Sequence, residues 1–173
     1  MANVKQSNKV YFSLGSNIDA GQHIARAVNS FLQDFDDVLV SNLYRCSAVG
    51  FKGDDFLNLA VAFQTEQNVV ELLDYAEHLE QQAGRIRVTR GRFDSRTLDV
   101  DLLMYGDFVG QQAGYQWPSE DIDTVAHVLC PVADIAKDDV HPISNRRFTS
   151  LWQEFDMGEA DMLQIPSIWD QCS

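Results

Sequence analysis

Residues 97–104 read TLDVDLLM and form the clearest strand pattern in the chain. Because successive side chains of a strand point to opposite faces, the apolar residues share one face and Asp99 and Asp101 share the other. The two carboxylates then lie about 7 Å apart along the strand, at about 3.3 Å per residue. Like charges at this spacing repel each other unless a cation or basic group lies between them. Mg²⁺ is held by one or two carboxylates and by phosphates and water, so the pair predicts a metal site.

A cluster of arginines precedes this strand. Five of the 13 basic residues fall within twelve positions, although the net charge of the chain is −13, and they are Arg85, Arg87, Arg90, Arg92 and Arg96. Guanidinium groups bind phosphate oxygens bidentately and stay charged. A carboxylate pair for metal beside arginines for phosphate favours phosphoryl-type transfer. The alternative is a solvent-facing strand whose acids the arginines merely balance, and the pattern alone does not fix the reaction.

Working outward, the hydrophobic periodicity predicts strands alternating with helices. The predicted strands are 9–14, 38–46, 56–65 and 97–104, and the predicted helices are 21–35 and 69–83. The stretch 128–135 is predicted to be a helix end or a buried segment, and 148–155 a short helix. We expect Pro131 in the first turn of its helix, and we assign no structure after Asp156. This order predicts an α+β sandwich, a mainly antiparallel sheet with helices packed against it. A single domain over 1–173 is the simplest organisation, with a core at about 9–155 and an acidic tail at 156–173.

Composition excludes several classes of protein. Hydrophobic residues make up 45% of the chain and charged residues 23%, which is typical of a soluble globular protein. The strong negative charge argues against nucleic-acid or membrane partners. Three widely spaced cysteines show no zinc spacing, and the polar start lacks a secretory pattern. We therefore expect a cytoplasmic protein with small-molecule partners, and the sequence predicts no oligomeric state.

The run 92–103, RFDSRTLDVDLL, is similar to the central motif of the 6-hydroxymethyl-7,8-dihydropterin pyrophosphokinase family. Further similarities lie in short motifs along residues 9–155, namely Leu14-Gly15-Ser16-Asn17, Tyr44-Arg45, Phe56-Leu57-Asn58, Glu80 with Gly84-Arg85, Tyr105-Gly106 and Val140-His141-Pro142. On these residues the chain is identified as a divergent member of that family, also called 2-amino-4-hydroxy-6-hydroxymethyldihydropteridine diphosphokinases.

The resemblance implies a ferredoxin-like sandwich that binds ATP with two Mg²⁺ ions. It implies transfer of diphosphate from ATP to the hydroxymethyl group of the dihydropterin, with release of AMP, in folate biosynthesis. By the same resemblance Asp99 and Asp101 hold metal and act with Arg92 and Arg96 in catalysis. The resemblance also implies two further sets of residues. The nucleotide-binding set is Glu80, Arg85, Arg92 and Arg96, and the acceptor-binding set is Phe56, Asn58, Phe93 and His127.

The chain departs from the family pattern at four positions, which are Asp94, Ser119, Val125 and His127. Val125 replaces an arginine for ATP, and His127 replaces an aromatic wall of the pterin pocket. As a lone histidine in an apolar stretch, His127 has a structural interpretation as well as a ligand-binding one. These departures are the basis of an alternative hypothesis, in which the chain is a divergent paralogue. Such a paralogue would act on another acceptor, or would lack catalysis and serve as a binding or regulatory module. A third interpretation is a metal-free ferredoxin-like interaction domain.

Overall fold

The computed structural model describes residues 7–47, 53–84, 97–158 and 161–169. The strands are β1 (Asn8–Ser16), β2 (Leu39–Val40), β3 (Leu43–Cys46), β4 (Phe56–Thr65), β5 (Asp99–Tyr105), β6 (Gly110–Gln112), β7 (Tyr115–Trp117) and β8 (Met162–Ile165). The helices are α1 (Ala20–Asp34), α2 (Val69–Gln82), α3 (Asp121–Thr124), α4 (Ala126–Ile135) and α5 (Phe148–Gln153).

One antiparallel sheet carries the site. Its strands lie in the order β5-β1-β4-β3-β8, and β2 pairs with β4 beside β3. The chain order β1-α1-β3-β4-α2-β5 is the β-α-β-β-α-β arrangement of ferredoxin-like folds. The prediction of an α+β protein with helices packed on an antiparallel sheet is confirmed.

Both faces of the sheet are buried. On one face, Phe12 and Phe63 stack with ring centroids 5.9 Å apart, and Phe31 of α1 packs on both rings. On the other face, Ala60 and Ala62 of β4 belong to a second apolar cluster that includes residues of α4. The side chains of β4 therefore alternate between two faces of the sheet, and both faces are buried in core. Small alanines on the second face leave room for α4 to pack closely on β4.

Helix α2 has a well-defined start. The side chain of Asn68 accepts hydrogen bonds from the amides of Val70 and Glu71, and the Glu71 carboxylate accepts one from the Asn68 amide. This capping box satisfies backbone donors that a helix N-terminus would otherwise leave without partners. At the other end, Gly84 has φ +75°, the left-handed conformation expected just after a helix.

Two predicted elements are corrected. The single strand at 38–46 is wrong, because Ser41 interrupts it and separates β2 from β3. The Ser41 amide still donates to the Ala60 carbonyl at 2.9 Å, but the Ala60 amide donates to the Ser41 hydroxyl at 2.9 Å instead of to a backbone carbonyl. The Ser41 hydroxyl in turn donates to the Asn42 carbonyl at 2.7 Å, so the regular ladder is interrupted here. The position of Pro131 is also wrong, because α4 begins at Ala126 and Pro131 lies inside the helix. Proline has no amide hydrogen, so Pro131 donates no backbone hydrogen bond to the preceding turn.

Two β elements come from segments that the sequence pattern left unassigned. Strands β6 and β7 form a separate hairpin whose turn residues, Ala113 and Gly114, both have positive φ. Part of the acidic tail forms β8, which pairs antiparallel with β3. Over the described ranges, no helix is both long enough and apolar enough to cross a membrane.

Candidate active site

Strand β5 displays the two carboxylates as the alternation predicted. Leu98, Val100 and Leu102 are buried in the first core cluster. Asp99 is half-buried and Asp101 is exposed. A bulge follows, because Tyr11 pairs with Met104 while the next residue, Phe12, pairs with Leu102. The apolar face thus anchors the strand and leaves both carboxylates on the side of α4.

Glu80 supports this strand from α2. The residue is only 3% exposed, and its Oε1 accepts a hydrogen bond from the backbone amide of Val100 at 3.0 Å. Val100 lies between the two aspartates, so the bond fixes the segment that displays them. The resemblance placed Glu80 at the nucleotide, and the structure adds a contact with the carboxylate strand.

One row across the sheet links the carboxylates to a buried amide. Gly15 of β1 pairs with Asp99 on one side and with Asn58 of β4 on the other. Residues directly opposite in neighbouring strands share a face, about 5 Å apart. A side chain added at Gly15 would place its Cβ 3.1 Å from Asn58 Oδ1. Gly15 therefore keeps a gap open between Asn58 and Asp99.

The two residues after Gly15 donate hydrogen bonds to backbone carbonyls of neighbouring segments. Ser16 is fully buried, and its hydroxyl donates to the Thr97 carbonyl at 2.5 Å. Asn17 is 3% exposed and donates through Nδ2 to the Asp54 carbonyl at 3.3 Å. Ser16 and Asn17 thus connect the N-terminal end of β5 to the segment before β4. The sequence pattern ends the predicted strand at residue 14, whereas β1 continues through Ser16.

Asn58 is a buried polar group with spare hydrogen-bonding capacity. It is 4% exposed, and its Nδ2 has no hydrogen-bond partner among the described residues. A buried donor without a partner costs about 1–3 kcal/mol, so such a group is expected where a ligand supplies the acceptor. Phe56, two residues earlier, lies on the same face and is half-buried.

Hydrogen bonds join helix α4 to β3 and to Asn42 just before it. The Tyr44 hydroxyl donates to Asp134 Oδ2 at 2.8 Å, and Asn42 Nδ2 donates to the same oxygen at 2.9 Å. Tyr44 in turn pairs with Asn58. His127, Cys130 and Asp134 are spaced three and four residues apart and so share one face of the helix. Since Cys130 and Asp134 interact with Tyr44, this spacing directs His127 toward the Phe56 end of β4.

The departures from the family pattern have local roles in this structure. Ser119 accepts a hydrogen bond from the Asp121 amide, ahead of α3. Val125 is half-buried against the second apolar cluster. His127 is exposed, yet desolvation by the surrounding protein lowers the pKa of its ring, and Asp121 opposes this shift. His127 is therefore mainly neutral at pH 7.

Several predicted site residues lie outside the described residues. Arg85, Arg92, Phe93 and Arg96 all fall in 85–96, as do Arg87, Arg90 and Asp94. Of the predicted set, the structure brings together Phe56, Asn58, Asp99 and Asp101 on one face and places Glu80 behind β5. Sequence reasoning missed Gly15 as the gap between them, although its place in a resembling motif was a usable signal.

The donor set at β5 fits Mg²⁺. Asp99 and Asp101 offer carboxylate oxygens only, and Mg²⁺ takes one or two carboxylates with the rest of its shell from water and phosphates. Within 7–47, 53–84, 97–158 and 161–169, no group of three or more His, Cys, Asp or Glu side chains gathers into a metal cage. Two carboxylates, with water and phosphate oxygens completing the shell, are the ligands that Asp99 and Asp101 would contribute to a Mg²⁺ site.

An antiparallel α+β sheet with a carboxylate pair beside a buried amide, whose nitrogen has no partner in the described part of the chain, fits the class of phosphoryl-group transferases. The sequence pattern of the 7,8-dihydro-6-hydroxymethylpterin-pyrophosphokinase (HPPK) family matches residues 11–137. The chain belongs to this family, whose members are ATP-dependent pyrophosphokinases.

Curated bacterial relatives agree with this family. The chain is 31% identical over 149 residues to a 2-amino-4-hydroxy-6-hydroxymethyldihydropteridine pyrophosphokinase of Haemophilus influenzae, covering 84% of this chain and 91% of the relative. It is 33% identical over 134 residues to the enzyme of the same name from Pseudomonas aeruginosa, covering 75% of this chain and 82% of the relative. It is also 30% identical over 135 residues to the enzyme of the same name from Bacillus subtilis, covering 76% of this chain and 80% of the relative.

Solved structures show the same fold. The wild-type Plasmodium falciparum HPPK-DHPS with pterin and p-hydroxybenzoate superposes with a TM-score of 0.65 at 12% identity, over 88% of this chain and 44% of that one. The same protein with pteroate gives a TM-score of 0.61 at 12% identity, over 86% and 42%. The chain therefore spans less than half of those structures, and at this identity the likeness concerns the fold alone.

Proposed function

We propose that the protein transfers the β,γ-diphosphate of ATP to the hydroxymethyl oxygen of 6-hydroxymethyl-7,8-dihydropterin, releases AMP and serves folate biosynthesis. Family membership and the names of the bacterial relatives support the reaction. The observation that carries the proposal is the row Asn58–Gly15–Asp99. It places a buried amide and a carboxylate about 10 Å apart on one face, two strand spacings with only a glycine between them.

The acceptor would lie on the Asn58 side of this gap. A flat heterocycle needs an apolar wall and a hydrogen-bonding group at its edge. Phe56 offers the wall, and Asn58 Nδ2 offers a buried donor that lacks a partner among the described residues. A hydrogen-bond acceptor atom of the pterin at Asn58 Nδ2 would offset the cost of burying that amide. This favours a pterin that points its polar edge at Asn58.

The donor would lie on the Asp99 side. Asp99 and Asp101 are the residues that would hold Mg²⁺, and Mg²⁺ would supply neutralisation of phosphate charge there. Glu80 holds the Val100 amide and so orients both carboxylates. By the family resemblance, Arg92 and Arg96 would contact the phosphates, and Glu80 and Arg85 would contribute to binding the nucleotide.

The reaction balances as a substitution at the β-phosphorus. The hydroxymethyl oxygen forms a bond to that phosphorus as the bond to the oxygen bridging the α-phosphate breaks. AMP leaves with the bridging oxygen, and the hydroxyl proton passes to water. The residues of this chain contribute position and charge, which supply most of the catalysis in phosphoryl-type transfer.

A change of acceptor is the second candidate, and His127 favours it. A neutral imidazole can donate and accept a hydrogen bond, whereas a phenyl wall can do neither. Its lowered pKa keeps it in that neutral form. An acceptor with a polar edge at this wall would then bind better than the plain dihydropterin.

The test is nucleotide chromatography after incubation with ATP, Mg²⁺ and a panel of pterin alcohols. AMP that forms only when the hydroxymethyl-dihydropterin is present supports the main proposal. AMP with a different member of the panel supports the second candidate. Release of ADP, or no nucleotide product with any acceptor, would rule out diphosphate transfer by this chain.

A further inference from the structure

Strand β8 brings the C-terminal segment to the candidate acceptor site. It lies outside residues 11–137, which the family pattern matches, and it pairs with β3 from Leu43–Ile165 to Cys46–Met162. The end of β3 that meets Met162 is also the end that meets Phe56 of β4. The tail therefore forms the sheet edge one strand beyond Phe56, with Cys46 of β3 between them.

Met162, Cys46 and Phe56 form one row across β8, β3 and β4. Directly paired residues of antiparallel strands point to the same face, with Cβ atoms about 4.5–5.5 Å apart. All three are half-buried. Burial raises the pKa of the Cys46 thiol to about 11, so the thiol stays protonated near neutral pH. The Asn58 amide, which lies near the thiol but makes no hydrogen bond with it, partly opposes this shift. The row is thus an uncharged, partly open apolar surface.

A buried polar group on the same face also favours ligand binding there. Asn58 lies two residues from Phe56 on the same side of β4 and is only 4% exposed. Its Nδ2 has no hydrogen-bond partner among the described residues. An apolar surface beside a few placed polar groups is the usual composition of a small-molecule pocket. The thioether of methionine also makes favourable contacts with aromatic rings.

Contacts at both ends hold β8 in place. The Ser47 hydroxyl donates to Asp161 Oδ2 at 2.9 Å, next to Met162. After β8, Ile168 and Trp169 pack against the first core cluster, and Ile168 Cδ1 lies 3.7 Å from the position of a Cβ at Gly21. The strand is therefore a fixed part of the sheet, so that Met162 has a defined position.

We propose that Met162 is part of the acceptor site, where its side chain contacts the outer edge of a flat heteroaromatic alcohol that stacks at Phe56. This inference rests on the proposed function for the identity of the acceptor. It assigns a substrate-contacting role to a residue beyond the segment that defines the family, and it makes acceptor affinity depend on the C-terminal strand.

The experiment compares Met162→Ala, Met162→Leu and the control Leu163→Ala. Leu163 is the next residue of the same strand, points to the opposite face and is 52% exposed. Equilibrium binding of 6-hydroxymethyl-7,8-dihydropterin is measured by calorimetry with a nonhydrolysable ATP analogue and Mg²⁺ present. We expect Met162→Ala to weaken binding by about threefold to tenfold. Met162→Leu should restore most of the affinity, and Leu163→Ala should match the wild type.

Turnover separates this inference from the proposed function. In steady-state assays Met162→Ala should raise KM for the pterin and leave kcat and KM for ATP unchanged, whereas a merely structural defect would lower kcat and the melting temperature. Wild-type pterin binding without AMP release would overturn the proposed function while the variants still decide the role of Met162. Equal affinities for all four proteins would overturn the inference alone. Absence of pterin binding by the wild type would overturn both.

Discussion

Glu80 Oε1 accepts a hydrogen bond from the backbone amide of Val100 at 3.0 Å, in the interior of the protein. β5 pairs with β1 along one edge. Val100 lies between Asp99 and Asp101 on β5, and Glu80 accepts the hydrogen bond from its backbone amide. A buried carboxylate of α2 thus holds the segment of β5 that carries the candidate metal ligands.

Removing this contact should damage the site and the fold together. In Glu80→Leu, the Val100 amide loses its acceptor, and we expect about 1–3 kcal/mol lower free energy of unfolding. Glu80→Gln retains an oxygen at the same position and should recover part of that loss. Urea denaturation measures both variants, and Glu77→Gln on the exposed side of α2 is the control. A Glu80→Leu protein as stable as the wild type would show that the bond is unimportant.

Gly15→Ala should close the gap in the row. The new Cβ would lie 3.1 Å from Asn58 Oδ1, closer than ordinary van der Waals contact, and would displace the amide. We expect affinity for the pterin to fall by about tenfold, measured by calorimetry, with a small decrease in stability. Gly21→Ala is the matched control, since its Cβ would meet Ile168 Cδ1 at 3.7 Å, an ordinary van der Waals contact. Equal pterin affinity in both variants would contradict the assigned role of Gly15.

His141 predicts a pH-dependent stability. It is 3% exposed, its Nδ1 accepts the amides of Ile143 and Ser144 at 3.3 Å, and its Nε2 lies 3.9 Å from Asp123. Burial lowers its pKa below 6.5, against the effect of Asp123. The unfolded chain therefore binds the proton on His141 more readily than the folded protein does. The contribution of neutral His141 to the free energy of unfolding is full above pH 6.5 and decreases as the pH drops below it. One proton contributes at most about 1.4 kcal/mol per pH unit.

Urea denaturation at pH 7.5, 6.5 and 5.5 checks this prediction. His141→Asn keeps a side-chain acceptor for the two amides but cannot titrate, so its stability should decline less over this range. The pKa of His127 is also lowered, so a smaller slope should remain. Asp139 acts in a separate window: burial raises its pKa, but Lys9 and Tyr11 lower it more, and its contribution is lost only below about pH 4. Identical slopes for the wild type and His141→Asn would contradict the assignment.

The parts predicted from sequence were those set by local periodicity. Alternation in β5 fixed the opposite faces of Val100 and Asp99, because the two-residue repeat of a strand holds wherever one face is buried. The helical repeat located α1 and α2 to within one residue at each end. The pterin-side residues came from the family resemblance rather than from any pattern.

The missed parts depend on contacts between distant segments. The break at Ser41 needs the Ala60 amide, 19 residues away, and no local pattern shows it. Strand β8 is four residues long, and its pairing with β3 joins Met162 to Cys46 across most of the chain. The role of Gly15 likewise appears only when Asn58 and Asp99 are placed on either side of it.

The most direct test of the central claim is the AMP released by Asp99→Asn and Asp101→Asn, measured by chromatography with ATP, Mg²⁺ and the hydroxymethyl-dihydropterin. Asp107→Asn, at the exposed turn after β5, is the control. We predict acceptor-dependent AMP formation by the wild type and by the control, and a decrease on the order of 10²-fold or more in each site variant. Site variants that release AMP as fast as the wild type would contradict the assignment of catalysis to this carboxylate pair.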